Sequence, residues 1–177
     1  TGEVVAMVRE RIQPSAFGEY LDALGRWYNF AGIVVEANSI GVGTIDELLR
    51  RGYPPQLLYH RRKQPDQDPW ERADNIGWKA GVVTRPQLLS KLDGALRGGD
   101  IIVRDPIILQ ELLTFTIWPS GKAQASRGCH DDCVIALGLM VVGIEEMPRE
   151  PVPRPQKGWS RKSDEEVRRG KLLRILR

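Results

Sequence analysis

Apolar and polar positions along the chain switch repeatedly between a period of two and a period near 3.6. Residues 2–11 alternate, with Val4, Ala6 and Val8 set against Glu3, Val5 and Met7, and predict a strand. Thr1-Gly2 reads as the end of a tight turn, so a further strand is expected ahead of it. Ser15 suits an N-cap, and Phe17, Tyr20, Leu21, Leu24 and Trp27 then share one helical face. Ile33-Val34-Val35-Glu36-Ala37 predicts a short strand of the fully buried kind. Thr44 with Glu47 forms a capping box and predicts a helix over residues 44–51, closed by Gly52. Residues 56–60 predict a strand, and residues 61–75, polar and broken by two prolines, predict a surface loop. Thr84 or Arg85 opens a third helix, with Leu88, Leu89, Leu92 and Leu96 inward and Gly98-Gly99 at its end. Ile101-Ile102-Val103 predicts a strand, Asp105-Pro106 opens a helix to about Leu113, and residues 114–118 have strand character before a Ser120-Gly121 turn. The last helix is expected over residues 131–146. This alternation predicts an α/β fold, a sheet with helices on its faces.

Composition narrows the picture. A chain of 177 residues, 41% hydrophobic and 28% charged, suits one globular domain with an appendage. The expected division is a domain over 1–147, then a proline-rich linker and basic C-terminal tail over 148–177. No apolar run is long enough to span a bilayer, so no membrane partner is expected. No signal-peptide pattern opens the chain, and Thr1 is not an initiator methionine, which points to a fragment or a processed or trimmed chain. Cys129 and Cys133 make no disulfide framework; on one helix they would face the same side as two reduced thiols, which fits a reducing compartment. Net charge is +3, but residues 149–177 hold ten Lys/Arg against four Asp/Glu, which leaves residues 1–148 mildly acidic. An acidic body still suits nucleic-acid chemistry if its carboxylates hold metal ions, because the ions reverse the local field.

Two features carry candidate chemistry. Glu36 is an ionisable group in an apolar strand, where an unpartnered charge is costly. It is either a hydrogen-bonded structural residue at a strand end or a metal ligand. Strand ends of open α/β sheets are where ligands bind. Asp131 and Asp132, after Cys129 and His130, sit where a helix begins, so they are either caps favoured by the helix dipole or ligands. The helix that follows, from Cys133 to Val142, is apolar almost all round and would hold its first turn rigidly in the core. Hard divalent cations take oxygen ligands, and two such ions about 4 Å apart stabilise both the attacking and the leaving oxygen in phosphodiester cleavage. Elsewhere, Ser120-Gly121-Lys122 lacks the glycines of a phosphate-binding loop. His60-Arg61-Arg62-Lys63 is either a solvated basic loop or a DNA-backbone contact. Cys129, Cys133 and His130 lack a fourth ligand for zinc.

The motifs Thr1-Gly2-Glu3-Val4-Val5, Val34-Val35-Glu36-Ala37-Asn38, Ile76-Gly77-Trp78 with Thr84-Arg85-Pro86, Glu111-Leu112-Leu113-Thr114-Phe115 and Gly128-Cys129-His130-Asp131-Asp132-Cys133 follow one another in order. In that order and spacing, over roughly residues 1–145, the chain resembles the C-terminal nuclease domain of tailed-phage large terminase subunits. The resemblance implies an RNase H-like fold, a central mixed sheet flanked by helices, with its first strand ahead of Thr1. It implies an endodeoxyribonuclease that cuts concatemeric double-stranded viral DNA during genome packaging, with two Mg²⁺ or Mn²⁺ ions. Glu36 and Asp132, assisted by Asp131, correspond to two of the family's three metal-holding positions. The first acid would lie before Thr1, so this chain by itself is expected to cut slowly or not at all. His130, Glu111 and Arg85 are expected to support the ligands, with Glu111 capping, pairing with an arginine such as Arg85, or orienting a loop. Lys122, Arg61, Arg62 and Lys63 are expected at the DNA backbone. Implied partners are double-stranded DNA, the portal, the small terminase subunit and an N-terminal ATPase domain, all in the host cytoplasm rather than the mature virion. Two alternatives stay open. One is another RNase H-like nuclease, a resolvase or transposase core; the other is a non-catalytic module that docks a packaging partner such as the portal through its basic tail.

Overall fold

The computed structural model describes residues 2–61 and 75–147. The expectations for Arg62, Lys63, the proline-rich stretch and the basic tail lie outside those residues. Within them the chain is mixed α/β, with five helices and two sheets of two strands each. Strand β1 (Gly2–Glu3) runs parallel to β2 (Ile101–Ile102), and β3 (Phe115–Ile117) pairs antiparallel with β4 (Ala123–Ala125). Among the described residues, no helix is long and apolar enough to cross a membrane.

Helix α5 (Asp132–Glu146) organises the packing. Its Val134, Leu137 and Val141 enter one cluster with Leu92, Ala95, Ile101 and Ile108. Ile135, Leu139 and Val142, on another face, enter a second cluster with Tyr59, Trp78 and Leu88. Apolar residues on two faces therefore match apolar neighbours on two sides, and each large side chain buried stabilises by about 2 kcal/mol. Helix α3 (Thr84–Arg97) crosses at Gly138, where an added Cβ would overlap the Leu88 side chain. Helix α4 (Pro106–Thr114) packs on α5 from the other side. Its cap is Asp105, whose carboxylate accepts the N–H groups of Ile107 and Ile108. A third cluster, including Ile33, Ile45, Leu48, Tyr53 and Leu58, lies beneath α1 (Pro14–Trp27) and α2 (Ser39–Arg50).

Several local expectations need correcting. Strand character over residues 2–11 survives only in Gly2–Glu3. Val4 N–H still reaches the Ile102 carbonyl, but no backbone hydrogen bond is made from Val5 through Ile12 among the described residues. Ser15 is not a cap; α1 opens at Pro14, whose fixed φ suits a first helical position. Thr44 is not a cap either. It is buried inside α2 and donates its hydroxyl to the Pro14 carbonyl, tying α2 to α1. The α2 cap is Asn38, whose Oδ1 accepts the N–H groups of Ile40 and Gly41. Thr84 is the first residue of α3, and its hydroxyl bonds the Lys79 carbonyl. Cys129 precedes α5, so the two cysteines do not share a helix face.

The strand expected over residues 33–37 is an extended segment with isolated pairings in place of a continuous ladder. Ile33 pairs with Leu58, and Glu36 pairs with Trp78, both parallel. Ile33 and Ala37 donate to the Leu57 and Trp78 carbonyls, at 2.8 and 2.5 Å. Val34 and Glu36 turn their N–H groups the other way, and among the described residues neither N–H meets a backbone acceptor. Among the described residues, one edge of this segment is open.

Candidate functional site

Glu36 stands at the end of that extended segment, half-buried, with the N-terminus of α2 laid against it. The approach is so close that a Cβ at Gly41 would overlap the Glu36 carbonyl oxygen. Only glycine lets α2 start there. The Asn38 cap and Gly41 therefore fix where Glu36 sits.

The start of α5 lines the same cavity. Asp131 is its N-cap by position, yet its side chain makes no cap hydrogen bond. It accepts Arg85 Nη2 at 2.8 Å instead. The side chain that does cap the helix is Glu111, only 4% exposed, whose Oε2 accepts the Cys133 N–H at 2.7 Å. Its Oε1 lies 3.0 Å from Arg9 Nη1. That oxygen has no hydrogen bond of acceptable geometry, but the ion pair supplies its counter-charge. Glu111 thus caps a helix, as expected, but its arginine is Arg9 and not Arg85.

Asp132 is the freer of the two aspartates. Its side chain is 75% exposed, against 28% for Asp131. The Arg9 guanidinium, at Nη2, and the His130 ring, at Nδ1, both lie 4.0 Å from Asp132 Oδ2. Cys133, directly below, is buried, and its thiol is pushed up to about 11 by that burial and then by the charge of Glu111.

Glu36, Asn38, Arg85, Asp131 and Asp132 line one open cavity of about 850 Å³. Its remaining wall is apolar, with Phe17, Val34, Ile135 and Leu139. The expected ligands Glu36, Asp131 and Asp132 therefore share one space. They do not converge: among the described residues, no three His, Cys, Asp or Glu side chains form a group that could hold a metal. The donor set, all carboxylate oxygen, suits Mg²⁺ or Mn²⁺, which keep several waters and take few protein ligands.

Lys122 is exposed on the β3–β4 hairpin and shares a smaller cleft with Arg85, Gln124 and Asp131. It is a cation in the cleft that Asp131 borders. Arg61 donates to the Gly77 carbonyl at 3.3 Å. Arg9 and Asn38 are not legible as site residues from the sequence. Arg9 lies in a stretch that reads as alternating strand. Asn38 carried a usable signal, a capping residue directly after an apolar strand. The chain matches no protein-family model and no curated protein.

Proposed function

We propose that this chain is a metal-dependent endodeoxyribonuclease of RNase H-like architecture, which cleaves double-stranded DNA concatemers during viral genome packaging. One observation carries the reading. The Asp131–Asp132 pair opens a buried helix whose side-chain cap is Glu111, and the pair lines one cavity with Glu36. Side-chain capping therefore does not account for the two acids, and the cavity they share with Glu36 supports a role in metal ligation.

Glu36 and Asp132 would hold the divalent ions, with Asp131 kept in place by Arg85. Bound there, such ions supply Lewis-acid activation of water and neutralise charge on the phosphodiester. Glu36 and Asp132 line the same cavity and would each supply carboxylate oxygens to the ions. Lys122 would contact a DNA phosphate, a contact that positions the duplex without reading its sequence. A third acid on a strand ahead of Thr1 is part of this reading. So are the portal, the small terminase subunit and an ATPase domain as partners in the host cytoplasm.

The test is nicking of supercoiled plasmid in Mn²⁺ by the full-length protein. Asp132→Asn and Glu36→Gln should each lower the rate by two orders of magnitude or more, on the order of 3 kcal/mol in the barrier. Unchanged cutting by either variant would remove that residue from the site. A preference for branched over linear duplex would favour a resolvase-like enzyme instead.

A further inference from the structure

Arg9 stands on a segment with little to hold it. Residues 5–12 join β1 to α1 without a backbone hydrogen bond among the described residues. Val4 and Met7 pack on the core, and beyond them the tie is ionic. The Arg9 guanidinium spans two acids, with Nη1 3.0 Å from Glu111 Oε1 and Nη2 4.0 Å from Asp132 Oδ2. Glu111 is the fixed end of this bridge, buried and committed through its other oxygen to the α5 cap. Asp132 is the loose end, mostly exposed and at the outer limit of ion-pair distance.

We propose that Arg9 is a resident counter-cation of the site, anchored by Glu111 against Asp132, and that a divalent ion binding at Asp132 competes with it. The inference rests on the reading of Asp132 as a metal ligand. An ion on the Asp132 oxygen would stand within a few ångströms of the guanidinium, and two cations that close repel. Arginine stays charged at all accessible pH values, so the conflict is relieved by movement and not by proton loss. The 5–12 segment can move because no backbone ladder has to break. Arg85 differs, since at 2.8 Å it locks Asp131, the aspartate with less exposure. One arginine thus holds an acid in place, and the other stands at the outer limit of ion-pair distance from the acid that would take the ion, lining an adjoining cavity that Asp132 also borders.

The test titrates Mn²⁺ into the full-length protein and reads the free ion by its solution EPR signal. Arg9→Gln should tighten Mn²⁺ binding by roughly threefold to tenfold, since a nearby like charge is removed. Arg9→Lys should stay close to the parent. Arg11→Gln, an equal charge change at an exposed neighbour, should shift affinity less than twofold, because exposed charges are screened. Structural damage would weaken binding, so a gain in affinity separates competition from misfolding. If Arg9→Gln does not fold with Glu111 left unpaired, the double variant Arg9→Gln with Glu111→Gln removes both charges and should show the same gain. Unchanged or weaker binding in the folded Arg9 variants, or an equal gain from Arg11→Gln, overturns the proposal. If Asp132→Asn still abolishes Mn²⁺ binding in that case, the ligand assignment survives. Mn²⁺ binding that does not depend on Asp132 overturns both.

Discussion

The two cysteines on either side of His130, Asp131 and Asp132 live in different environments. Cys129 is exposed, while Cys133 is buried under the first turn of α5 with its thiol held up to about 11. The thiolate is the nucleophile, so Cys129 should react with iodoacetamide at pH 7.5 and Cys133 should not until the protein unfolds. Mass spectrometry of modified peptides reads the difference. The linkage has a definite sign. A thiol whose folded pKa is raised stabilises the fold fully below the ordinary thiol range, and that stability is lost as pH rises through about 11. The sequence showed two unpaired thiols but not which was buried, because Cys129 falls just before the helix and not on it. Glu111 was legible in the same partial way. Its place in a short helix was readable, as was a capping or pairing role. Its partner Arg9, far away in the chain, was not, because a long-range ion pair leaves no periodic trace.

At the scale of elements, the helices were more legible than the strands. Helix α5 was readable from its unbroken apolar run, and α4 from Asp105-Pro106, since both signals are local. The α2 cap was misplaced by six residues because Thr44 and Glu47 mimic a capping box. The asparagine ahead of Ser39 does the capping. Asn38→Ala should therefore lower stability by about 1 kcal/mol, checked by urea denaturation, the usual cost of removing a helix cap. The same substitution should also loosen Glu36, because the Asn38 side chain anchors the helix laid over the Glu36 carbonyl. The strands were harder to read. A segment such as residues 33–37 pairs with Leu58 at one end and Trp78 at the other, and hydrophobic periodicity cannot say where either partner lies. A complete central sheet, expected from the resemblance, belongs to the proposed reading; the described strands form two small sheets.

For the whole molecule, α5 ties the parts together, and the candidate site sits where its first turn meets the Glu36 segment. Two walls of the cavity thus come from distant parts of the chain. This explains why the acids were readable one by one while their meeting was not. Yet the outward-facing side of the Glu36 segment carries its own consequence. Amide hydrogen exchange measured by NMR should be fast at Val34 and Glu36 and slow at Ile33 and Ala37, which have acceptors. An exposed strand edge is a template for another chain, and charged side chains are one way proteins blunt such edges. Among the described residues Glu36 is the charge at this edge, so neutralising it would remove a safeguard against self-association as well as a candidate ligand. A Glu36→Gln protein that lost nicking activity would have to be shown monodisperse by light scattering before the loss could be ascribed to chemistry.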